Sequence, residues 1–261
     1  MASGAKTHAE RQLQGRPIRT RRHRPAVGTE VLALAHELRA PLSVIRGYLS
    51  LIADGSLGEV PARWELPVAR LDEKARELAR LIEDLLTAAR LDSGRLSTDR
   101  ERLDVREAVA GAVSRSAGRA ELLGARLEVQ LPERPVTVQA DPSQVALILD
   151  NLVNNSLSYS AGPPWVLVRA EAQHRQAVIA VEDHGIGVRS HMRERIFERF
   201  VRADDEAIPG LPGSGLGLAI ARELAEGNGG TLVLERSAAG AGSRFVVRFP
   251  LASDEMAHAS G

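Results

Sequence analysis

Between residues 31 and 89, apolar side chains recur at alternating intervals of four and three, the spacing of an α-helix with a narrow apolar seam. The first run is Val31, Ala35, Leu38, Leu42, Ile45, Leu49 and Ile52; the second is Trp64, Val68, Leu71, Ala75, Leu78, Ile82, Leu85 and Ala89. Asp54-Gly55 and Gly58 break the first run, and Ser93-Gly94 closes the second. Proline is tolerated in a first helical turn, so the second helix is expected to start close to Pro67. Two seamed helices joined by about a dozen residues read as an antiparallel hairpin. A lone hairpin buries two seams poorly, and each buried leucine contributes roughly 1.5–3 kcal/mol. The pattern therefore predicts a homodimer in which two hairpins form a four-helix bundle. Packing of the hairpin on the rest of its own chain is the alternative outlet for the seams.

The remainder of the 261 residues reads differently. Apolar residues make up 44% and charged residues 26%, the balance of a soluble globular protein. Cysteine is absent, which excludes disulfides, thiolate metal sites and cysteine nucleophiles. No apolar run approaches the ~18 residues of a membrane span, and no signal peptide precedes the hairpin, so the expected location is cytoplasmic. Net charge is zero, but residues 1–26 hold seven Lys/Arg against one Glu. That stretch reads as a basic, disordered leader (1–29), and no nucleic-acid-recognition motif accompanies it, so no nucleic acid partner is expected. After the hairpin (30–94), a helical pattern at 104–123 is followed by strand-like 126–130 and 136–139. Next come a helix at 142–158, alternating strands at 165–172 and 176–182, a helix at 215–227 and strands at 230–236 and 243–249. This is an α+β domain over 95–252, with its helices on one face of a mixed sheet, and a disordered tail at 253–261.

Several residues stand out as chemistry. His36 lies on the first helix one position off the seam, in His36-Glu37-Leu38-Arg39-Ala40-Pro41-Leu42. Its ring can project from the bundle, and Glu37 can orient it so that the free nitrogen acts as a nucleophile. Pro41 removes a helical hydrogen bond at the carbonyl of Glu37. Asn151 and Asn155, four apart, share a helix face, and Asn155 offers a neutral oxygen suited to a magnesium ion that already carries phosphate oxygens. Asp183-His184-Gly185-Ile186-Gly187 follows an apolar strand; a carboxylate there can accept the exocyclic amine of adenine. Gly213-Ser214-Gly215-Leu216-Gly217 opens an apolar helix and offers backbone N–H groups to phosphate. It is neither a P-loop nor a dinucleotide fingerprint. The polar stretch 201–212, with Pro209, Gly210 and Pro212, reads as a mobile lid. Each of these strings taken alone is also compatible with an ordinary helix surface or turn.

Together they resemble the transmitter region of a bacterial sensor histidine kinase over residues 30–251. HELRAPL is similar to that family's H box and Asn151 to Ser156 to its N box. Asp183 to Gly187 and Gly213 to Leu218 resemble its two glycine boxes, and Phe197-Glu198-Arg199-Phe200 resembles its F box. The resemblance implies an α/β-sandwich ATP-binding domain of the gyrase and histidine-kinase type behind the dimerisation hairpin. It implies ATP and Mg2+ as cofactors, with Asp183 on adenine, Asn151, Asn155, Phe197 and the residues of both glycine boxes around the nucleotide, and Asn155 on the metal. His36 would take the γ-phosphoryl group with Glu37 as orienting base, then pass it to an aspartate on a response regulator receiver domain. Three departures stand out. Ala40 replaces the usual threonine or asparagine associated with phosphatase activity. Ser158 replaces a frequent basic residue, whose charge Arg199 or Arg202 is expected to supply. Asn228 replaces a frequent histidine. Only residues 1–35 precede His36, so the chain is either a fragment of a longer kinase or a short kinase served by a separate sensor protein. Two other functions remain compatible with these strings: a scaffold with a degenerate kinase domain, and an ATPase or serine kinase of the same fold.

Overall fold

The structure, a computed structural model, describes residues 26–94, 96–160, 162–202 and 213–252, with side chains from Leu34 onward other than that of His36. Residues 203–212 of the expected lid (201–212), the expected tail (253–261) and residues 1–25 of the expected leader lie outside the described residues. Helix α1 spans Ala26–Ala53 and runs through Pro41; helix α2 spans Ala62–Asp92 and carries Pro67 inside it. Both begin earlier than the sequence suggested, and residues 26–29 are helix rather than leader. Pro67 removes only one hydrogen bond, within the first turn and a half of α2, where Arg63 and its neighbours are exposed to water. At the far end Ser93 caps α2, and Gly94 adopts the left-handed φ of +63° that stops it.

The two helices pack against each other along half of each seam. Ala35, Leu42 and Leu49 of α1 and Ala75, Ile82 and Ala89 of α2 are buried. The intervening positions are not: Leu38, Ile45, Leu71 and Leu78 are 44%, 52%, 60% and 48% exposed. Ala35, Leu42, Leu49, Ala75 and Ile82 thus fill the hairpin core together with Leu86, while Leu38, Ile45, Leu71 and Leu78 face outward.

The second unit is α+β, as expected. Its elements are β1 (Glu101–Asp104), α3 (Val105–Leu122), β2 (Arg126–Gln130), β3 (Thr137–Ala140), α4 (Pro142–Ser158), β4 (Trp165–Gln173), β5 (Gln176–Asp183), α5 (Gly217–Gly227), β6 (Thr231–Ser237) and β7 (Ser243–Pro250). Five strands form one mixed sheet in the order β2-β4-β5-β7-β6, parallel between β2 and β4 and antiparallel elsewhere. Strand β1, which the sequence did not announce, pairs antiparallel with β3 in a separate ribbon. Its four residues bury only Leu103, too short an alternation to register as a pattern. The inner sheet face and α3, α4 and α5 enclose one core that includes Ile148, Leu152, Ile179, Ile220, Val247 and Phe249. On the outer face, Val178, Ala180 and Val246 are buried beneath ion pairs of Arg244 and Arg236 with Glu182 and of Arg244 and Arg248 with Glu235.

Two aspartates start the helices that matter most. Asp104 caps α3, and Asp141 caps α4 by accepting from the N–H groups of Ser143 and Gln144. Burial opposes ionisation at both. The hydrogen bonds they accept outweigh it and hold both carboxyls below the ordinary value. Asn228, buried at the end of α5, ties this start of α4 in place. Its Oδ1 accepts from the N–H of Asp141 (2.8 Å), and its Nδ2 donates to Gln144 Oε1 (2.8 Å) and to the carbonyl of Leu224 (2.9 Å). The residue that departs from the family pattern here is a structural bond between two helices.

Asn228→Leu strands at least two buried polar groups and should lower unfolding stability by about 2–3 kcal/mol in a urea titration. The lowered carboxyls give a signed pH dependence. Their stabilisation is complete above the ordinary carboxyl range and is lost as pH falls through their depressed folded-state values. Asp141→Asn should flatten that acid limb.

Candidate nucleotide site

A cleft of about 840 Å³, open to solvent, lies between α4, the turn after β5, the glycine-rich start of α5 and the flank of α2. Helix α4 buries Ile148, Leu149, Leu152 and Val153 in the core, so Asn151 and Asn155 fall on its cleft side. Asp183, the last residue of β5, is buried beneath the cleft. Its Oδ1 accepts from the N–H groups of Gly185 (2.8 Å) and Ser243 (3.2 Å), and Oδ2 has only a long contact of 3.4 Å from the Ser156 hydroxyl. Burial raises its pKa above the ordinary value; the bonds from Gly185, Ser243 and Ser156 and the nearby His184 only partly offset this. One oxygen is therefore anchored and the other remains able to accept from a ligand. The walls beside it are apolar: Ile186, Val188, Ile196, Leu218 and Phe245.

The glycines are required by contact. Gly187 has φ +68°, and a Cβ there would lie 1.9 Å from the carbonyl oxygen of Ala238. Gly215 has φ +69°, and a Cβ would lie 2.8 Å from the carbonyl carbon of Phe200. Neither turn can carry a side chain and still close against its neighbour.

Among the described residues, one polar atom at the cleft lacks a partner. The side-chain Nδ2 of Asn151 is buried with no hydrogen-bond partner, an open donor beside the cleft. Among the described residues there is no cluster of three His, Cys, Asp or Glu that could hold a metal ion.

The structure brings Asn151, Asn155, Asp183, Gly187, Arg202, Gly213, Ser214, Gly215 and Gly217 to one cleft. Four other expected residues do not line it. Gly185 is buried against the carbonyl of Tyr159, and Leu216 is in the core. Phe197 is also a core residue, edge-on to Phe245, with Arg222 stacked 3.5 Å above its ring. Arg199, expected to supply phosphate charge, is held instead by Asp92 (2.6 Å) and Glu223 (2.9 Å), linking the end of α2 to α5. His36 lies in α1 between buried Ala35 and exposed Glu37; the expected direction of its ring lies outside the described residues.

Two charged residues absent from the sequence reading join the cleft, Arg80 and Asp84 of α2, along with Tyr159, Val188 and Ile196. Asp84 is buried and accepts from the Ser214 hydroxyl at 3.0 Å. Burial raises its pKa, against the opposing effects of Ser214 and Arg80. The preceding residue, Glu83, pairs with Arg39 of α1 at 2.8 and 2.6 Å. The stretch of α2 that closes the cleft is therefore level with the turn of α1 just past His36. An acid and a base on a helix flank give no sequence signal that separates them from solvated charges.

Comparison with known proteins matches both halves. Residues 26–94 match the His Kinase A (phospho-acceptor) domain, and residues 140–253 match the histidine kinase-, DNA gyrase B- and HSP90-like ATPase family. The chain belongs to the sensor histidine kinases, as their transmitter region. It is 35% identical over 221 residues to the sensor histidine kinase MtrB of Mycolicibacterium paratuberculosis, covering 84% of this chain and 38% of MtrB. It is 32% identical over 219 residues to the probable sensor histidine kinase TcrY of Mycobacterium tuberculosis, covering 83% and 44% respectively. Among solved structures, full-length ShkA in complex with AMPPNP superposes with a TM-score of 0.67 at 27% identity, over 86% of this chain and 46% of that one. This histidine kinase chain thus spans less than half the length of these relatives. No helix among its described residues is long and apolar enough to cross a membrane.

Arg199→Ala in this histidine kinase should free the end of α2 from α5. The expected result is a loss of about 1–2 kcal/mol of stability and faster proteolysis around Gly94, read by limited digestion.

Proposed function

We propose that this chain is an ATP-dependent protein histidine kinase of two-component signalling that phosphorylates itself on His36. The observation that carries the reading is the cleft itself. A family phosphoacceptor helix and a family ATPase site occur in one molecule, and the hairpin supplies part of the cleft wall through Arg80 and Asp84. The anchored carboxylate of Asp183 suits the adenine amine, and the open donor of Asn151 suits a phosphate oxygen. Asn155 would hold Mg2+, which when bound neutralises phosphate charge.

In the reaction, an imidazole nitrogen of His36 attacks the γ-phosphorus of ATP. The bond from that phosphorus to the β,γ-bridging oxygen breaks, and ADP leaves with the electron pair. Glu37, on the next residue, orients the ring and takes the imidazole proton. Positioning and electrostatics supply most of the acceleration in such a transfer. The phosphoryl group then passes to an aspartate of a response regulator receiver domain docked beside His36. The dimer forms through the open half of the seam, two hairpins making a four-helix bundle. Phosphoryl transfer from ATP to a regulator places the work in the cytoplasm, with the signal arriving from a sensor region of a longer chain or from a separate sensor protein.

The test is autophosphorylation with γ-labelled ATP and Mg2+. Acid-labile, alkali-stable label should appear in the wild type and fall at least 100-fold in His36→Gln and Asn155→Ala, on the order of 3 kcal/mol of transition-state stabilisation. Label surviving His36→Gln would remove the site assignment, and ATP binding without label would favour a scaffold. Ala40 has no hydroxyl to position water, so the chain should dephosphorylate its regulator slowly. Ala40→Thr should speed that step; rapid dephosphorylation by the wild type, unchanged in the variant, would contradict it.

A further inference from the structure

Arg80 and Asp84 stand one turn apart on α2, on the face turned to the cleft. Asp84 reaches the Ser214 hydroxyl, at the glycine-rich turn that opens α5. Arg80 lines the same cleft with Asn151 and Asn155. The other arginines near this end are engaged elsewhere. Arg199 is held by Asp92 and Glu223, and Arg119 donates from Nη1 to Asn154 Oδ1 and from Nη2 to Ser158 Oγ, both at 2.8 Å. Helix α4 contributes Asn151, Asn155 and Ser156 to the cleft wall, with Tyr159 just past its end, and so brings no cation to it. Among the described residues, the cations on that wall are Arg80 and Arg202.

Guanidinium matches phosphate by its planar fork of donors and its permanent charge. Its origin also matters. Asp183 marks the adenine end, at the end of β5 beside the start of β7, where it accepts from Ser156, Gly185 and Ser243. Helix α2 meets the cleft at Ser214 instead, so the phosphate closest to the hairpin is the terminal one.

We propose that Arg80 is a phosphate-binding residue of the nucleotide site, supplied by the hairpin and directed at the terminal phosphate of a nucleoside triphosphate. This rests on the ATP-dependent kinase reading above and adds a specific consequence. The hairpin distinguishes a triphosphate from a diphosphate, because only the triphosphate reaches Arg80. Asp84, one turn along, holds the glycine-rich turn in register with that arginine through Ser214.

The experiment is equilibrium binding of Mg-ADP and of the Mg complex of the β,γ-imido analogue of ATP to the full chain. Wild type, Arg80→Gln and Arg80→Lys are compared, with thermal unfolding of each. Arg80→Gln should weaken the triphosphate analogue about tenfold and ADP less than about twofold, the scale of one charge-assisted contact. Arg80→Lys should recover part of the difference, since it restores charge without the fork. An equal loss for both nucleotides, or no loss for either, overturns the proposal, because a residue that only shapes α2 cannot alter the ratio. If the wild type binds neither nucleotide, the kinase reading fails as well; if it binds both and Arg80→Gln changes neither, only the role of Arg80 fails.

Discussion

The bond network between the start of α4 and the end of α5 sets the geometry on which the cleft depends. Asn228 holds the Asp141 N–H and the Gln144 side chain, and Asp141 in turn caps α4. Both helices carry cleft residues, Asn151 and Asn155 on one, Ser214, Gly215, Gly217 and Leu218 at the mouth of the other. A shift of one helix past the other would misalign the asparagines against the glycine turn. Buried polar groups that are fully paired are costly to disrupt and so define one relative position rather than several. The apolar core between the helices supplies most of the cohesion, but apolar contact alone is nondirectional.

Much of the architecture was legible because its physical signal is periodic. The seams of α1 and α2 declared themselves through their four-three alternation, β4 through its two-residue alternation, and β5 as a short apolar run. What stayed hidden had no period to show. Strand β1 buries one residue, and the early start of α2 runs through a proline that usually marks a boundary. The site followed the same division. Glycine turns and the asparagine pair are local strings, so Asn155, Asp183, Gly187 and Gly215 could be named in advance. Arg80 and Asp84 reach the cleft only because one folded unit packs on another. Arg199 sits next to the cleft in sequence order but finds two carboxylates first, which no local pattern reveals.

The cleft also shows how unlike requirements are divided among elements. Rigid backbone turns at Gly187 and Gly215 make the close approaches, a buried carboxylate with one anchored oxygen supplies an acceptor, and an unpartnered amide supplies a donor. Positive charge reaches the wall from both halves of the molecule, from Arg80 on helix α2 and from Arg202 ahead of α5. A site assembled from two units in this way is sensitive to anything that moves them apart, even where every residue of the ATPase fold stays in place.

The half-filled seam has a consequence of its own. Leu38, Ile45, Leu71 and Leu78, left in water, make the isolated hairpin an incomplete core. Where association completes such a core, folding and assembly become a single equilibrium, and stability depends on the amount of chain present. Melting temperature then becomes a function of dilution rather than a constant of the sequence, and a mutation on the open half of the seam acts on how much folded protein exists at a given abundance before it acts on catalysis.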